Sequence, residues 1–349
     1  MTDITDRASR EHAFETRRVG QTGLSLTTLG LGCASLAGNY TPVPDDVARA
    51  TVAHALDIGI GYVDTAPQYG YGRSEHLVGD VLRYRRDGMV LSTKVGRLLR
   101  PFGPEGRAKP HTWADPFAFD QHFDYTYEAI MRSVEDSMQR LGLDRIDILY
   151  VHDIGLATHG EQENSRLWAQ LADSGYRALR KLRDEGVVKA IGLGVNEWEV
   201  LMDAFALGDW DVFLLAGRYT LLEQTSLSPF LETCLARGSS VVIGGPFNSG
   251  ILVGGNTWNY AKAPAEIVER VKRIELACRD VGVPMPAAAL QFPLAHPAVC
   301  NVLPGPRTPA ELDEIVSWWT TPIPSELWSR LASENLLARG TPLPGGGTV

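Results

Sequence analysis

Eight short apolar runs, each followed by an amphipathic stretch, limit what this chain can fold into more than any other feature. The runs are LGLGCASL at 29–36, YVDTA at 62–66, MVLSTKV at 89–95, DILYVHD at 147–153, AIGLGVN at 190–196, VFLLAG at 212–217, SVVIGGP at 240–246 and VCNVLPG at 299–305. Between them lie helical patterns. In DDVARATVAHALDIG, Val47, Ala50, Thr51, His54 and Ile58 recur at three- and four-residue steps, with Asp45 and Asp46 suited to a helix start. In YEAIMRSVEDSMQRLGL, Ile130, Val134, Met138 and Leu141 share one stripe and Gly142 is a stop signal. SGYRALRKLRDEGVVKA is a third helix, capped by Gly186. Strand–helix–strand units with short links require a parallel sheet with helical crossovers. Eight units close most naturally into an α/β, (β/α)8 TIM barrel. An open doubly wound sheet is the alternative. The barrel is favoured because the runs are near-continuously apolar and no strand–helix junction stands out as a nucleotide fingerprint. TRRVGQTGLSLTTLG, with a central Gly23, predicts an N-terminal β-hairpin able to plug the bottom of the barrel, and PSELWSRLASENLLARG predicts one helix after the eighth unit. The expected organisation is a flexible N-terminus at 1–16, a single barrel domain at 17–340 and a flexible tail at 341–349.

A length of 349 residues suits one such barrel, and 44% hydrophobic residues supply a large core. The net charge of −9 argues against nucleic-acid and membrane partners: nothing in the chain forms a basic stripe or a polybasic segment. The first sixteen residues are polar and lack a secretory apolar core, so a cytoplasmic location is expected. Cys33, Cys234, Cys278 and Cys300 form no close pair, which points to buried free thiols and away from zinc, redox dithiols or disulfides. No metal is expected.

In a barrel, chemistry sits where the strands end at the C-terminal face. Asp64 ends the second run, Tyr69 follows it in a glycine-rich loop, Lys94 ends the third and His152 the fourth. Singly, each has an ordinary explanation: a packed histidine, a lysine reaching for water, an aspartate capping a helix, a tyrosine filling space. Four together, on adjacent strands converging on one mouth, make a site. They also fit one chemistry. Hydride transfer between alcohol and carbonyl needs a proton placed on, or taken from, the oxygen. Tyr69 can handle that proton if a neighbouring ammonium, Lys94, pulls its pKa down from about 10. Asp64 keeps Lys94 charged, and His152 hydrogen-bonds and orients the substrate oxygen.

The segments GYVDTAPQYGYGRSEHLVGDVLR, VLSTKVG, IDILYVHD, AIGLGVNEWE and NVLPGPR, in this order and spacing, resemble the aldo-keto reductase superfamily over residues 17–331, and within it the bacterial aldose 1-dehydrogenases and pyridoxal 4-dehydrogenases. The Asp, Tyr, Lys and His of that family's catalytic tetrad fall on Asp64, Tyr69, Lys94 and His152. The resemblance implies a barrel that binds NAD(P) without a Rossmann fold. It also implies that Asn196 holds the nicotinamide carboxamide. The chain departs from the commonest family pattern at Val195, Ala216 and Gly244, where serine, glutamine and tyrosine are usual.

GPFNSGILVGG and LPGPRTPAELDE follow the seventh and eighth runs, where barrels hold phosphate. Pro246, Phe247, Asn248, Ser249 and Gly250, with amides freed by Gly250 and Gly254, are expected to cradle a pyrophosphate, and Arg307 to stack on adenine or pair with phosphate. Where NADPH-preferring relatives place lysine and arginine, this chain has Gly305 and Glu311. An acidic side chain repels a 2′-phosphate, so NAD is expected as cofactor, with NADP possible. The GxG pairs at Gly30/Gly32 and Gly192/Gly194 lie inside strands and point to close packing. The long connection after Lys94 brings Trp113, and NTWNYAK brings Trp258 with Tyr260, as aromatic walls for a small-molecule sugar or aldehyde substrate, either an aldose ring or a pyridine. The leading function is NAD-dependent oxidation of a free aldose at C1 to its lactone, with pyridoxal oxidation or general aldehyde and ketone reduction as alternatives. Two readings from other classes are a non-catalytic nucleotide-binding subunit and a metal-dependent hydrolase using His152, Asp153 and His159. The oligomeric state is left open.

Overall fold

The computed structural model describes residues 14–102, 106 and 111–349. The expected flexible segment at 1–16 therefore falls largely outside the described residues. Its last part does not: Phe14 is buried, and strand β1 (Thr16–Arg18) pairs antiparallel with β2 (Ser25–Thr27) in the predicted hairpin. The turn is made at Gly20 and not at Gly23. Gly20 has φ +49°, and a Cβ there would meet the Asp211 carbonyl at 2.6 Å, so only glycine fits without movement.

All eight apolar runs form strands of one sheet: β3 (Leu31–Gly32), β4 (Tyr62–Asp64), β5 (Val90–Val95), then, after a two-stranded ribbon β6 (Arg97–Pro101) and β7 (Phe119–Phe123), β8 (Ile148–His152), β9 (Ala190–Val195), β10 (Val212–Ala216), β11 (Ser240–Gly244) and, beyond a short hairpin β12 (Thr257–Trp258) and β13 (Ala261–Lys262), β14 (Val299–Leu303). Every neighbouring pair in the eight-stranded sheet is parallel. A parallel bridge between Leu29 and Val302, with Gly30 N–H donating to Val302 O at 3.0 Å and Gly32 N–H to Pro304 O at 2.9 Å, closes the ring. The fold is the (β/α)8 barrel, not the open sheet.

Alternation along each strand sorts the core into two populations. Val63, Leu91, Leu149, Val151, Ile191 and Phe213 face outward into the layer shared with the helices. Tyr62, Val90, Ile148, Tyr150, Ala190 and Val212 face the axis, where Val19, Leu24 and Leu26 of the N-terminal hairpin pack against them from below. The hairpin thus plugs the bottom. Gly192 sits where a Cβ would lie 1.5 Å from the Val212 carbonyl, and a Cβ on Gly194 would touch the Lys94 stem at 3.4 Å, so this GxG pair serves close packing.

The predicted helices form at Asp45–Asp57, Tyr127–Leu141, Tyr176–Asp184 and Ser325–Ser333. Gly142 and Gly186 take the left-handed conformation expected of stop residues, with φ 63° and 73°. The buried face of Asp45–Asp57 differs from the expected stripe. Ala48, Thr51, Val52 and Ala55 are buried, while Ala50 is exposed and Val47, His54 and Ile58 only partly covered. Two apolar stripes run along this helix, and the one with smaller side chains faces inward. Residues 341–349, expected as a loose tail, instead form a hydrogen-bonded turn. Pro342 bridges Thr348, Gly340 N–H donates to Val349 O at 3.0 Å, and Thr341 is buried. All four cysteines are buried free thiols. Among the described residues no helix is long and apolar enough to cross a membrane.

Candidate active site

The parity that separates the two cores also delivers the chemistry. Asp64, Lys94 and His152 share the inward parity of Tyr62, Val90 and Ile148, and they are the last inward residues of β4, β5 and β8, three strands adjacent in the barrel. Lys94 Nζ donates to Asp64 Oδ2 at 2.6 Å and to the Thr65 carbonyl at 3.0 Å. Tyr69 leans in from the loop after β4, its ring centroid 4.6 Å from Lys94 Nζ. The His152 ring meets it edge-on at 5.9 Å. Left-handed backbone at Gly70, Tyr71 and Gly72 turns the chain from this loop into the helix Arg73–Leu82, which explains the glycines that follow Tyr69. Tyr69, Lys94 and His152 line one cavity of about 280 Å³.

Burial works to strip the Lys94 ammonium of its proton, but the Asp64 carboxylate and Tyr69 outweigh it and hold the pKa above the usual lysine value. Burial raises the Asp64 carboxyl, and Lys94 and Ser92 pull it back. Tyr69 corrects the expected lowering. Burial is the largest influence and leaves the phenol above its ordinary value; Lys94 pulls it down, and Asp64 adds to the rise. His152 is pushed well below its ordinary value by burial, Arg97 and Lys94, so the imidazole is neutral at pH 7. Its Nδ1 is buried without a hydrogen-bond partner. An orphaned acceptor is the commoner exception, so we assign the proton to Nε2, where it can be donated to a substrate oxygen.

Asp153 follows His152 with φ 45°, a left-handed conformation that turns its carboxylate into the same cavity. There it is paired with the buried guanidinium of Arg97 from β6 and accepts from Asn196 Nδ2 at 3.4 Å. The long connection after Lys94 is thus partly the ribbon β6–β7. Part of that connection (103–105 and 107–110) lies outside the described residues. Further on, Trp113 bridges to Asn39 and stands 5.8 Å from the Tyr69 ring, forming a wall of the cavity. Trp258 does not line the cavity: its Nε1–H donates to Glu223 at 2.9 Å. Tyr260, two residues on, lines the cavity instead, its hydroxyl donating to Asn196 Oδ1 at 3.1 Å. Asn39, Tyr40 and Gln68 complete the rim and were not singled out in the sequence. Their signal was only position, in loops that follow barrel strands.

The expected cofactor residues divide. Asn196 lines the cavity beside a floor of Gly194, Leu214 and Ala216, apolar and largely without bulk, against which a planar nicotinamide fits. The Pro246–Gly250 stretch is a turn at the end of β11, but its groups are less free than expected. Asn248 is buried, accepts from Thr220 Oγ1 at 2.6 Å, and donates both amide hydrogens, to Gly217 O at 3.1 Å and Glu223 Oε2 at 2.9 Å. Its side chain holds the loop and is not available to a phosphate. Gly250 N–H is likewise committed, to Phe247 O at 3.0 Å. Phe247 packs edge-on against Trp318 at 5.8 Å, and Ser249 Oγ accepts from Tyr260 N–H at 3.1 Å. A Cβ on Gly305, after β14, would lie 3.0 Å from Ser35 Oγ. Arg307 and Glu311 are bound to each other: the guanidinium donates to the carboxylate at 2.6 and 2.9 Å, and Arg307 N–H does so at 2.8 Å. Thr308 caps the helix Pro309–Thr320 and fixes Glu311 in its first turn. Glu311 is therefore half of an ion pair, not the free negative charge assumed from the sequence. Among the described residues no cluster of three or more His, Cys, Asp or Glu side chains is placed to hold a metal ion. His159 instead sits on the Phe123 ring at 4.5 Å.

Comparison with known proteins agrees with this geometry. The aldo/keto reductase family model matches residues 28–335. The chain is 46% identical to pyridoxal 4-dehydrogenase of Microbacterium luteolum over 93% of its own length and 99% of the relative's. It is 40% identical to D-threo-aldose 1-dehydrogenase of a Pseudomonas species, covering 90% and 96%. Among solved structures, an aldo-keto reductase of Bacillus halodurans in its holo form superposes with a TM-score of 0.71 at 24% identity, covering 93% of this chain and 97% of that one; it supports the fold.

Proposed function

The chain belongs to the aldo/keto reductase family and is an oxidoreductase using a nicotinamide cofactor, and from that premise we propose that it is an NAD-dependent dehydrogenase converting a free aldose, in its cyclic hemiacetal form, at C1 into the lactone. The observation that carries this reading is the convergence of Lys94, Tyr69 and His152 on one small cavity walled by Trp113 and Tyr260, with Asp64 bound to Lys94 behind them.

The substrate's C1 hydroxyl sits between the Tyr69 phenol and His152 Nε2. Tyr69, as the phenolate, accepts the hydroxyl proton and becomes the phenol as C1 loses its hydride, and His152 Nε2–H donates a hydrogen bond that fixes the oxygen. Gly194, Ala216 and Asn196 would hold an oxidised nicotinamide, which would supply the hydride acceptor. Lys94, kept charged by Asp64, stabilises the phenolate. In reduction the same phenol returns the proton. The rim residues Asn39, Gln68 and Asp153 offer hydrogen bonds to hydroxyls on the sugar ring.

The greater identity to the pyridoxal enzyme favours a second reading. Pyridoxal carries an aldehyde beside a hydroxymethyl group and closes to the same kind of hemiacetal, whose oxidation also yields a lactone. Its flat ring suits the aromatic walls. NAD over NADP rests on Glu311, which keeps Arg307 occupied and leaves no uncommitted cation from this pair for a 2′-phosphate. A screen of NAD reduction over free aldoses and pyridoxal tests the proposal. Reduction with aldoses and lactone formation supports the first reading, reduction with pyridoxal alone the second. No turnover with either class, by a protein that binds NAD, would return the chain to the non-catalytic reading.

A further inference from the structure

Each tetrad member on a barrel strand has a hydroxyl-bearing residue two positions below it, on the same inward face: Tyr62 beneath Asp64, Ser92 beneath Lys94 and Tyr150 beneath His152. All three are fully buried. In the middle of a barrel core, hydroxyls are costly unless bonded, and phenylalanine or alanine would fill the same space without that cost. The three touch in sequence. Tyr150 Oη lies 3.2 Å from Tyr62 Oη, Tyr62 Oη lies 2.9 Å from Ser92 Oγ, and Ser92 Oγ lies 2.6 Å from Asp64 Oδ1.

Proton counting fixes the direction. An ionised Asp64 only accepts, so Ser92 spends its single proton on Oδ1. Ser92 Oγ must then accept from Tyr62, and Tyr62, its proton spent, must accept from Tyr150. The O–H dipoles run head to tail, all with their positive ends toward the carboxylate. Asp64 accepts from this chain through one oxygen and from Lys94 through the other.

We propose that Tyr150, Tyr62 and Ser92 form a one-way hydrogen-bond relay that holds Asp64 ionised and in place, and that they act as positioning residues for Lys94 and, through it, Tyr69. The relay rests on the reading of Asp64, Lys94 and Tyr69 as the proton-handling site. It explains how a carboxylate only 2% exposed stays charged at the centre of a barrel.

The deciding experiment observes Asp64 directly. In protein labelled with 13C at the aspartate γ-carboxyls, the Asp64 resonance, assigned by its loss in Asp64→Asn, is followed against pH in wild type, Tyr62→Phe, Tyr150→Phe and the double variant. Both substitutions keep the ring, and Tyr150 lies at the far end of the chain, so its variant tests the relay even if Tyr62→Phe folds poorly. The midpoint is expected to rise by roughly half to one pH unit in Tyr62→Phe and by less in Tyr150→Phe. The double variant is expected to match Tyr62→Phe, because Tyr150 acts only through Tyr62. An unmoved midpoint, or shifts that add, overturns the relay whatever the activity. The pH profile of kcat/KM separates the two claims. If the Asp64 midpoint moves and the profile does not, the relay stands and the proton-handling reading falls.

Discussion

Replacing Lys94 by methionine removes the cation paired with Asp64 while keeping most of the side chain's volume. Asp64 and Lys94 are 3% and 2% exposed at the side chain and 2.6 Å apart, so the stranded carboxylate has no access to water. Breaking such a pair from one side costs about 3–5 kcal/mol. Two effects soften this: Ser92 still donates to Oδ1, and burial lets Asp64 take up a proton. We therefore expect Lys94→Met to lose ~3 kcal/mol, a fall in Tm of roughly 4 °C at about 1.4 °C per kcal/mol for a chain of this size. Asp64→Asn/Lys94→Met carries no stranded charge and should recover most of that loss, to within about 1 kcal/mol of wild type. Activity should behave differently. Both variants lack the cation beside Tyr69, so both should lose turnover by roughly 10²–10⁴-fold, the range for removing acid–base assistance. Thermal and denaturant unfolding give the first quantity and NAD reduction the second. A double variant as unstable as the single one would refute the stranded-charge argument. Turnover restored along with stability would show that Lys94 serves only the fold.

Tyr69→Phe should abolish turnover while NAD affinity, read by fluorescence or calorimetry, changes less than about twofold; near-normal rates would remove Tyr69 from its role. Because the phenol stands above its ordinary value and the base form is the phenolate, kcat/KM for oxidation should rise with pH on the alkaline side, and the neutral His152 should give no limb between pH 6 and 7. Glu311→Gln frees Arg307 from its ion pair, and the ratio of NADP to NAD efficiency should rise by roughly three- to tenfold, a modest change because the pair is exposed; an unchanged ratio would dismiss this pair as the basis of cofactor choice. Burial pushes the His296 imidazole down to about 4, while its Nδ1 accepts from Ala298 N–H. The folded state thus binds fewer protons than the unfolded one between about pH 6.5 and 4, so its stability is complete above that window and falls within it by roughly 3 kcal/mol. His296→Asn, which keeps an acceptor but does not titrate, should flatten that part of the stability curve.

Strand alternation made the barrel and three of the four central residues legible. A polar side chain closing an apolar run has its facing fixed by a period of two, so Asp64, Lys94 and His152 could be placed on one mouth before any coordinates were known. Tyr69 was legible only by proximity to Asp64, since a loop has no such period. Where no period applies, the sequence names residues without their partners. Asn248 and Glu311 looked free because nothing in the chain announces that Thr220, Gly217 and Glu223 use up one and Arg307 the other. The helix Asp45–Asp57 failed for a related reason: with apolar residues on two stripes, only the barrel it packs against decides which is buried.

The same contrast bears on the chemistry. Lys94 was expected to lower the Tyr69 pKa, but burial, which depends on the whole fold, outweighs it, and Asp64 adds to the rise. The protein's own charges offset only part of the cost of forming a phenolate there. The remainder must come from the substrate complex, and the oxidised cofactor carries a positive ring where the reduced one is neutral. It follows that Tyr69 should be more acidic with NAD than with NADH bound. The site is then a better base when the substrate is to be oxidised and a better acid when it is to be reduced, so one set of residues serves both directions without rearrangement.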